Sequence, residues 1–102
     1  MMIKKKAKCL CLGKGLSSVS SVLKTISEDT RLRIICLLGK EERCVCEITS
    51  ALKLPHNLLL HHLKALIKIG LLKKREQGRF TFYWLDQKAM TRFKQGFAQL
   101  IN

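Results

Sequence analysis

Cys44-Val45-Cys46 sets two thiols two residues apart, inside the run Glu41-Glu42-Arg43-Cys44-Val45-Cys46-Glu47-Ile48. Cys9 and Cys11 repeat that spacing in a lysine-rich N-terminal segment. Packing needs alone rarely produce two such pairs. Four soft sulfur donors suit Cd(II), Pb(II) or Zn(II) by softness and tetrahedral preference. An ideal helix sends side chains i and i+2 to nearly opposite sides. Cys44 and Cys46 therefore converge on one ion only if Cys44 precedes the helix or the first turn opens. A helix N-terminus near Arg43 and Lys40 also favours the thiolate that metal binding requires. Cys36 stands apart in the apolar run Leu32–Leu38 and is expected to be an ordinary buried core residue.

The chain has 102 residues, enough for one small domain with a modest core that a partner subunit would help to complete. Its hydrophobic fraction of 47% excludes a disordered chain, and its apolar runs are too short to span a membrane. No secretory cleavage site follows the basic start, so a cytoplasmic location is expected. In such a reducing compartment, five cysteines point to metal or redox chemistry rather than structural disulfides. Net charge is +13, which makes a phosphate backbone the default partner. From Lys53 onward, ten basic residues face only Glu76 and Asp86, whereas Ser27–Glu47 is close to neutral.

The elements that must position these groups follow from periodicity and punctuation. Residues 1–15 are expected to be a flexible basic arm carrying Cys9 and Cys11. Residues 16–102 form the folded domain. Leu16, Val19, Leu23 and Ile26 recur at helical spacing. Ser27-Glu28-Asp29-Thr30 opens a second helix that runs through Leu32, Ile35 and Leu38 and stops at Gly39. A short third helix starts near Cys44 or Cys46, with Ile48, Ala51 and Leu52 facing inward. Lys53-Leu54-Pro55 breaks it and starts a fourth, buried through Leu58 or Leu59, His62 or Leu63, and Leu66. After Gly70 the period becomes two. Leu71–Glu76 and Arg79–Leu85 read as strands joined by a Gln77-Gly78 turn. Ala89, Met90, Phe93, Phe97, Leu100 and Ile101 form the apolar stripe of a last helix.

Two helices joined by a short turn, followed by a basic hairpin, make a mainly α winged helix-turn-helix. The fourth helix would enter the major groove of double-stranded DNA. Its polar candidates for base edges or phosphates are His56, Asn57, His61 and Lys64, with Asn57 suited to adenine. Lys73, Lys74, Arg75 and Arg79 crowd the hairpin as phosphate contacts. His61 and His62 lie about 100° apart on an ideal helix and cannot share one ion. One is expected to be packed and the other to face DNA or solvent. No Cys–His–carboxylate set or phosphate-binding glycine loop is evident, so an enzyme is not expected.

Thr30-Arg31-Leu32-Arg33-Ile34-Ile35, Cys44-Val45-Cys46-Glu47-Ile48, His61-His62-Leu63-Lys64 and Gly70-Leu71-Leu72 with its hairpin occur in that order. In this the chain resembles the ArsR/SmtB metal-sensing repressors from about Leu16 to its end. The resemblance implies a homodimer joined by the first and last helices, bound to operator DNA when metal-free and released on metal binding. It also implies that an N-terminal arm completes the thiolate site of cadmium- and lead-type sensors, the role that Cys9 and Cys11 match. Arsenic-type sensors take a third cysteine five residues after the first, where this chain has Thr49. Cys9 or Cys11 remains available as a third ligand for As(III) or Sb(III). A redox or persulfide signal at the same thiols is a further alternative. Asp29 and Leu60 stand where the family often has proline and serine. The family's last-helix metal site needs histidine and acids that are lacking after Asp86.

Overall fold

The computed structural model describes residues 14–101, so the expected arm with Cys9 and Cys11 lies outside the described residues. Helix α1 spans Lys14–Ile26 and packs along the last helix. Its buried residues are Val19 and Val22, whereas Leu16 and Leu23, expected on the buried stripe, are exposed. Helix α2 spans Asp29–Leu38 and buries Ile34 and Leu38, one turn apart. Gly39 closes it at φ 54°, a conformation that costs glycine little, and donates its N–H to the Ile35 carbonyl. Cys36 does not belong to the core. It lies two residues from both Ile34 and Leu38, on the opposite side of the helix, and is exposed and without a disulfide partner among the described residues.

A two-residue strand that the sequence pattern did not reveal, β1 (Arg43–Cys44), follows. Helix α3 (Val45–Leu52) starts directly from it and drives Ile48 fully into the core. Ala51, expected inward, is exposed, and Leu52 is half-buried. Lys53 ends the helix in the left-handed region at φ 55°. Pro55 takes the N-cap position of α4 (His56–Lys68), one residue earlier than a first-turn proline. Leu59, His62, Leu63 and Leu66 form the buried face of α4, and Leu58 points out. Helices α3 and α4 are thus the helix-turn-helix pair.

Strands β2 (Leu72–Gln77) and β3 (Phe80–Leu85) pair antiparallel, with Gln77 opposite Phe80. That register makes Gly78-Arg79, rather than Gln77-Gly78, the two-residue hairpin loop. Gly78 has φ 62°, the positive value that a hairpin with glycine at its first central position requires. The sheet order is β1-β3-β2. Helix α5 (Gln87–Ile101) begins where the Asp86 carboxylate accepts the N–H groups of Lys88 and Ala89. One cluster joins Val22, Ile34, Leu38, Ile48, Leu63, Leu66, Leu71 and Leu85. Each such side chain contributes about 1.5–3 kcal/mol by leaving water.

Candidate nucleic-acid interface and thiol site

Cys44 is both the last residue of β1 and the N-cap of α3, with extended φ −83° and ψ 161°. Cys46 sits in the first turn of the helix. The extended cap residue removes the divergence that an ideal helix would impose, and the two sulfurs meet. They are joined in a disulfide across a Cα–Cα distance of 5.4 Å, within the range that a bridge tolerates. This departs from the expectation of free thiols, because the strand-to-helix junction brings i and i+2 within bonding reach. The Cys44 N–H donates to Glu47 Oε1 at 2.9 Å, half of a capping box, so the start of α3 is built on the thiol residue itself. Cys44 is 6% exposed and Cys46 lies at the surface. Among the described residues no three His, Cys, Asp or Glu side chains gather into a metal-holding cluster.

The thiol pair reaches the wing through the backbone. Cys44 stands opposite Phe82 and Arg43 opposite Tyr83 across the β1–β3 ladder. An open groove of about 520 Å³ lies between α3, α4 and the wing. Cys44 and Cys46 line one side, His56, Leu60 and Lys64 of α4 a second, and Lys74, Arg79 and Phe80 the wing side. Leu60, in place of the hydroxyl residue expected from the resemblance, therefore contributes an apolar wall.

The expected DNA contacts fall on two surfaces. His56, Asn57, His61 and Lys64 are all exposed on α4, beside Leu58. Lys74 is exposed on β2 and Arg79 in the hairpin loop. Lys73 lies 3.5 Å from Asp86. Arg75 is engaged within the protein: Nε and Nη2 donate to the two Glu42 oxygens at 2.7 and 3.0 Å, and the guanidinium lies 4.6 Å from the Phe82 ring centroid. The Arg75 hydrogen bond holds the Glu42 carboxyl below its usual range, and Glu42 holds the Arg75 guanidinium above its own.

Neither the role of Glu42 nor the partners of His62 leave a signal in the sequence, because both depend on contacts between distant segments. Arg31 of α2 donates Nε–H to His62 Nδ1 at 3.0 Å and reaches the Thr25 carbonyl at 3.2 Å. Glu28 Oε1 lies 3.3 Å from the same ring nitrogen. A neutral ring that accepts from Arg31 has no proton at Nδ1 for Glu28, so the two contacts compete. Burial pushes the His62 pKa down, partly opposed by Glu28, while Arg31 and His61 lower it further. His62 is the packed histidine of the pair and His61 the exposed one.

Residues 28–74 match the profile described as "Bacterial regulatory protein, arsR family". The chain is 35% identical over 71 residues to a cadmium resistance transcriptional regulatory protein CadC homologue of Staphylococcus aureus, covering 69% of this chain and 59% of that relative's own length. It is 30% identical over 77 residues to an arsenical resistance operon repressor of Staphylococcus xylosus, covering 76% of this chain and 74% of the relative. HlyU from Vibrio cholerae superposes with a TM-score of 0.74 at 28% identity, covering 82% of this chain and 92% of that one. Reduced HlyU gives 0.72 at 29%, over 80% and 87%. The helix-turn-helix, the wing and these similarities agree: the chain belongs to the ArsR/SmtB family of transcriptional regulators.

Proposed function

We propose that this protein is a thiol-responsive transcriptional repressor, cytoplasmic and homodimeric through α1 and α5. It binds operator DNA when Cys44 and Cys46 are free and loses affinity when they are engaged. The observation that carries this reading is the junction of the two sulfurs at the N-cap of α3, in register with Phe82 of the wing. A change of sulfur geometry there acts on both DNA-reading parts. It moves the first turn of α3, which positions α4, and it moves β1, which pairs with β3. His56, Asn57, His61 and Lys64 read or grip the major groove. Lys73, Lys74 and Arg79, with Arg75 when released from Glu42, hold phosphates.

The engaging species in the first reading is a soft metal ion of the Cd(II), Pb(II) or Zn(II) class, with As(III) or Sb(III) as the alternative. Cadmium and arsenical regulators among the similar proteins support this class of signal. Once reduced, Cys44 and Cys46 supply two thiolates that already point to one place. Cys9 and Cys11, from the same or the partner subunit, would complete the set. A second reading, thiol oxidation, is favoured by the Cys44–Cys46 bridge.

An anaerobic promoter-binding titration with excess reductant, repeated with Cd(II), Pb(II), Zn(II) and As(III), separates the readings. Release by one metal at stoichiometric amounts supports metal sensing. No release by any of these metals, together with release by an oxidant once the reductant has been removed, supports the second reading. No specific footprint and no salt-sensitive affinity would remove the repressor reading altogether.

A further inference from the structure

We propose that the groove between α3, α4 and the wing is a docking site for an anionic low-molecular-weight disulfide, which oxidises the thiol pair by entering at Cys46. The inference rests on the oxidation reading of the same pair and adds the class of oxidant and the order of steps. The groove is open, and its volume of about 520 Å³ suits a small molecule. Among the described residues, Lys64, Lys74 and Arg79 are the cations that line it, and no carboxylate does. Such a wall attracts negative charge and raises its local concentration. Cys46 is at the surface, whereas Cys44 is 6% exposed. A docked disulfide therefore meets Cys46 first.

The exchange balances without any other reagent. The Cys46 thiolate attacks one sulfur of the bound disulfide RSSR. The S–S bond breaks, a Cys46–S–S–R bond forms and RS⁻ leaves. The Cys44 thiolate, whose sulfur reaches Cys46 as the bridge demonstrates, attacks Sγ of Cys46 and expels the second RS⁻. The protein dithiol loses two electrons and two protons, and RSSR gains them as two RSH. The product is the bridged state seen here.

The test follows thiol loss and mass in the absence of DNA, so its failure leaves metal-dependent repression untouched. Reduced protein carrying Cys9→Ser, Cys11→Ser and Cys36→Ser is mixed with oxidised glutathione (anionic), bis(2-hydroxyethyl) disulfide (neutral) or cystamine (cationic) at low salt. Oxidised glutathione is expected to react about tenfold faster than cystamine, and combined Lys64→Gln, Lys74→Gln and Arg79→Gln to remove most of that advantage while sparing the neutral probe. Neutralising Lys24, Lys88 and Lys94, outside the groove, is expected to change the ratio by less than about twofold. Further Cys44→Ser substitution should trap a mixed disulfide on Cys46. Equal rates for the three probes, or an advantage that the distant lysines control equally, would overturn the groove assignment. Mixed-disulfide formation on Cys44 in a Cys46→Ser protein as fast as on Cys46 would overturn the order of attack.

Discussion

Arg75 and Glu42 are joined by a two-pronged ion pair that ties the wing to the segment leading into Cys44. They stand 33 residues apart in the chain, and both are partly exposed. The pair removes one cation from the wing's free charge and braces β2 against the loop before β1. Glu42→Gln should release the guanidinium toward phosphate. The slope of log affinity against log salt is then expected to steepen by about one unit on non-specific DNA. An unchanged slope would mean that Arg75 does not reach the backbone when freed.

Phosphate grip and base reading are expected to separate by residue. Lys74→Gln should weaken all sequences alike and lower the salt slope by about one. Asn57→Ala should cost about 1–3 kcal/mol on operator DNA and little on random duplex. Competition binding with both duplexes at several salt concentrations distinguishes these patterns. Equal losses on both duplexes for Asn57→Ala would remove it from base recognition.

His62 links α4 to α2, and its depressed pKa gives stability a direction with pH. The unfolded imidazole takes a proton in the ordinary histidine range, while the native one resists until lower pH. The contribution of His62 is therefore fully present above that range and falls away as pH drops through it to the native pKa. Urea unfolding across this window should show that loss in the wild type and a shallower one in His62→Gln, whose amide oxygen can still accept from Arg31. Parallel curves would contradict it.

Thr49 carries a buried hydroxyl oxygen without a hydrogen-bond partner among the described residues. Thr49→Val keeps the branched shape and removes that polar atom, so a gain of about 1 kcal/mol is expected in denaturant unfolding. A loss of similar size would show that the hydroxyl is satisfied in solution.

The long-range ties were the least legible in the sequence. Regular periodicity located Leu38 on α2 and Leu66 on α4, but it missed Ile34: Leu32, expected on that face, is exposed and Ile35 only half-buried. Leu58-Leu59-Leu60 could not be phased by itself, because three consecutive leucines fit any face. Cys36 was misplaced for the same reason: the run around it is apolar all round, and only packing selects the Ile34–Leu38 face. Strand β1 has two residues, too few to alternate, and pairing with β3 creates it. The thiol spacing was readable, and so was the condition that Cys44 must precede the helix. The bridge was not, since it depends on the extended backbone of Cys44.

Operator dissociation constants for three states of one preparation test the central claim most directly: Cys44 and Cys46 reduced, reduced with one equivalent of Cd(II), and closed as the disulfide. Cys44→Ser runs in parallel, and serine is itself a favoured N-cap, so α3 should start normally in the variant. Wild-type affinity is predicted to fall at least tenfold, about 1.4 kcal/mol, in one or both engaged states, while Cys44→Ser stays tight in all conditions. Wild-type affinity that ignores both metal and disulfide, or release of Cys44→Ser as complete as that of the wild type, would contradict control of DNA binding by this thiol pair.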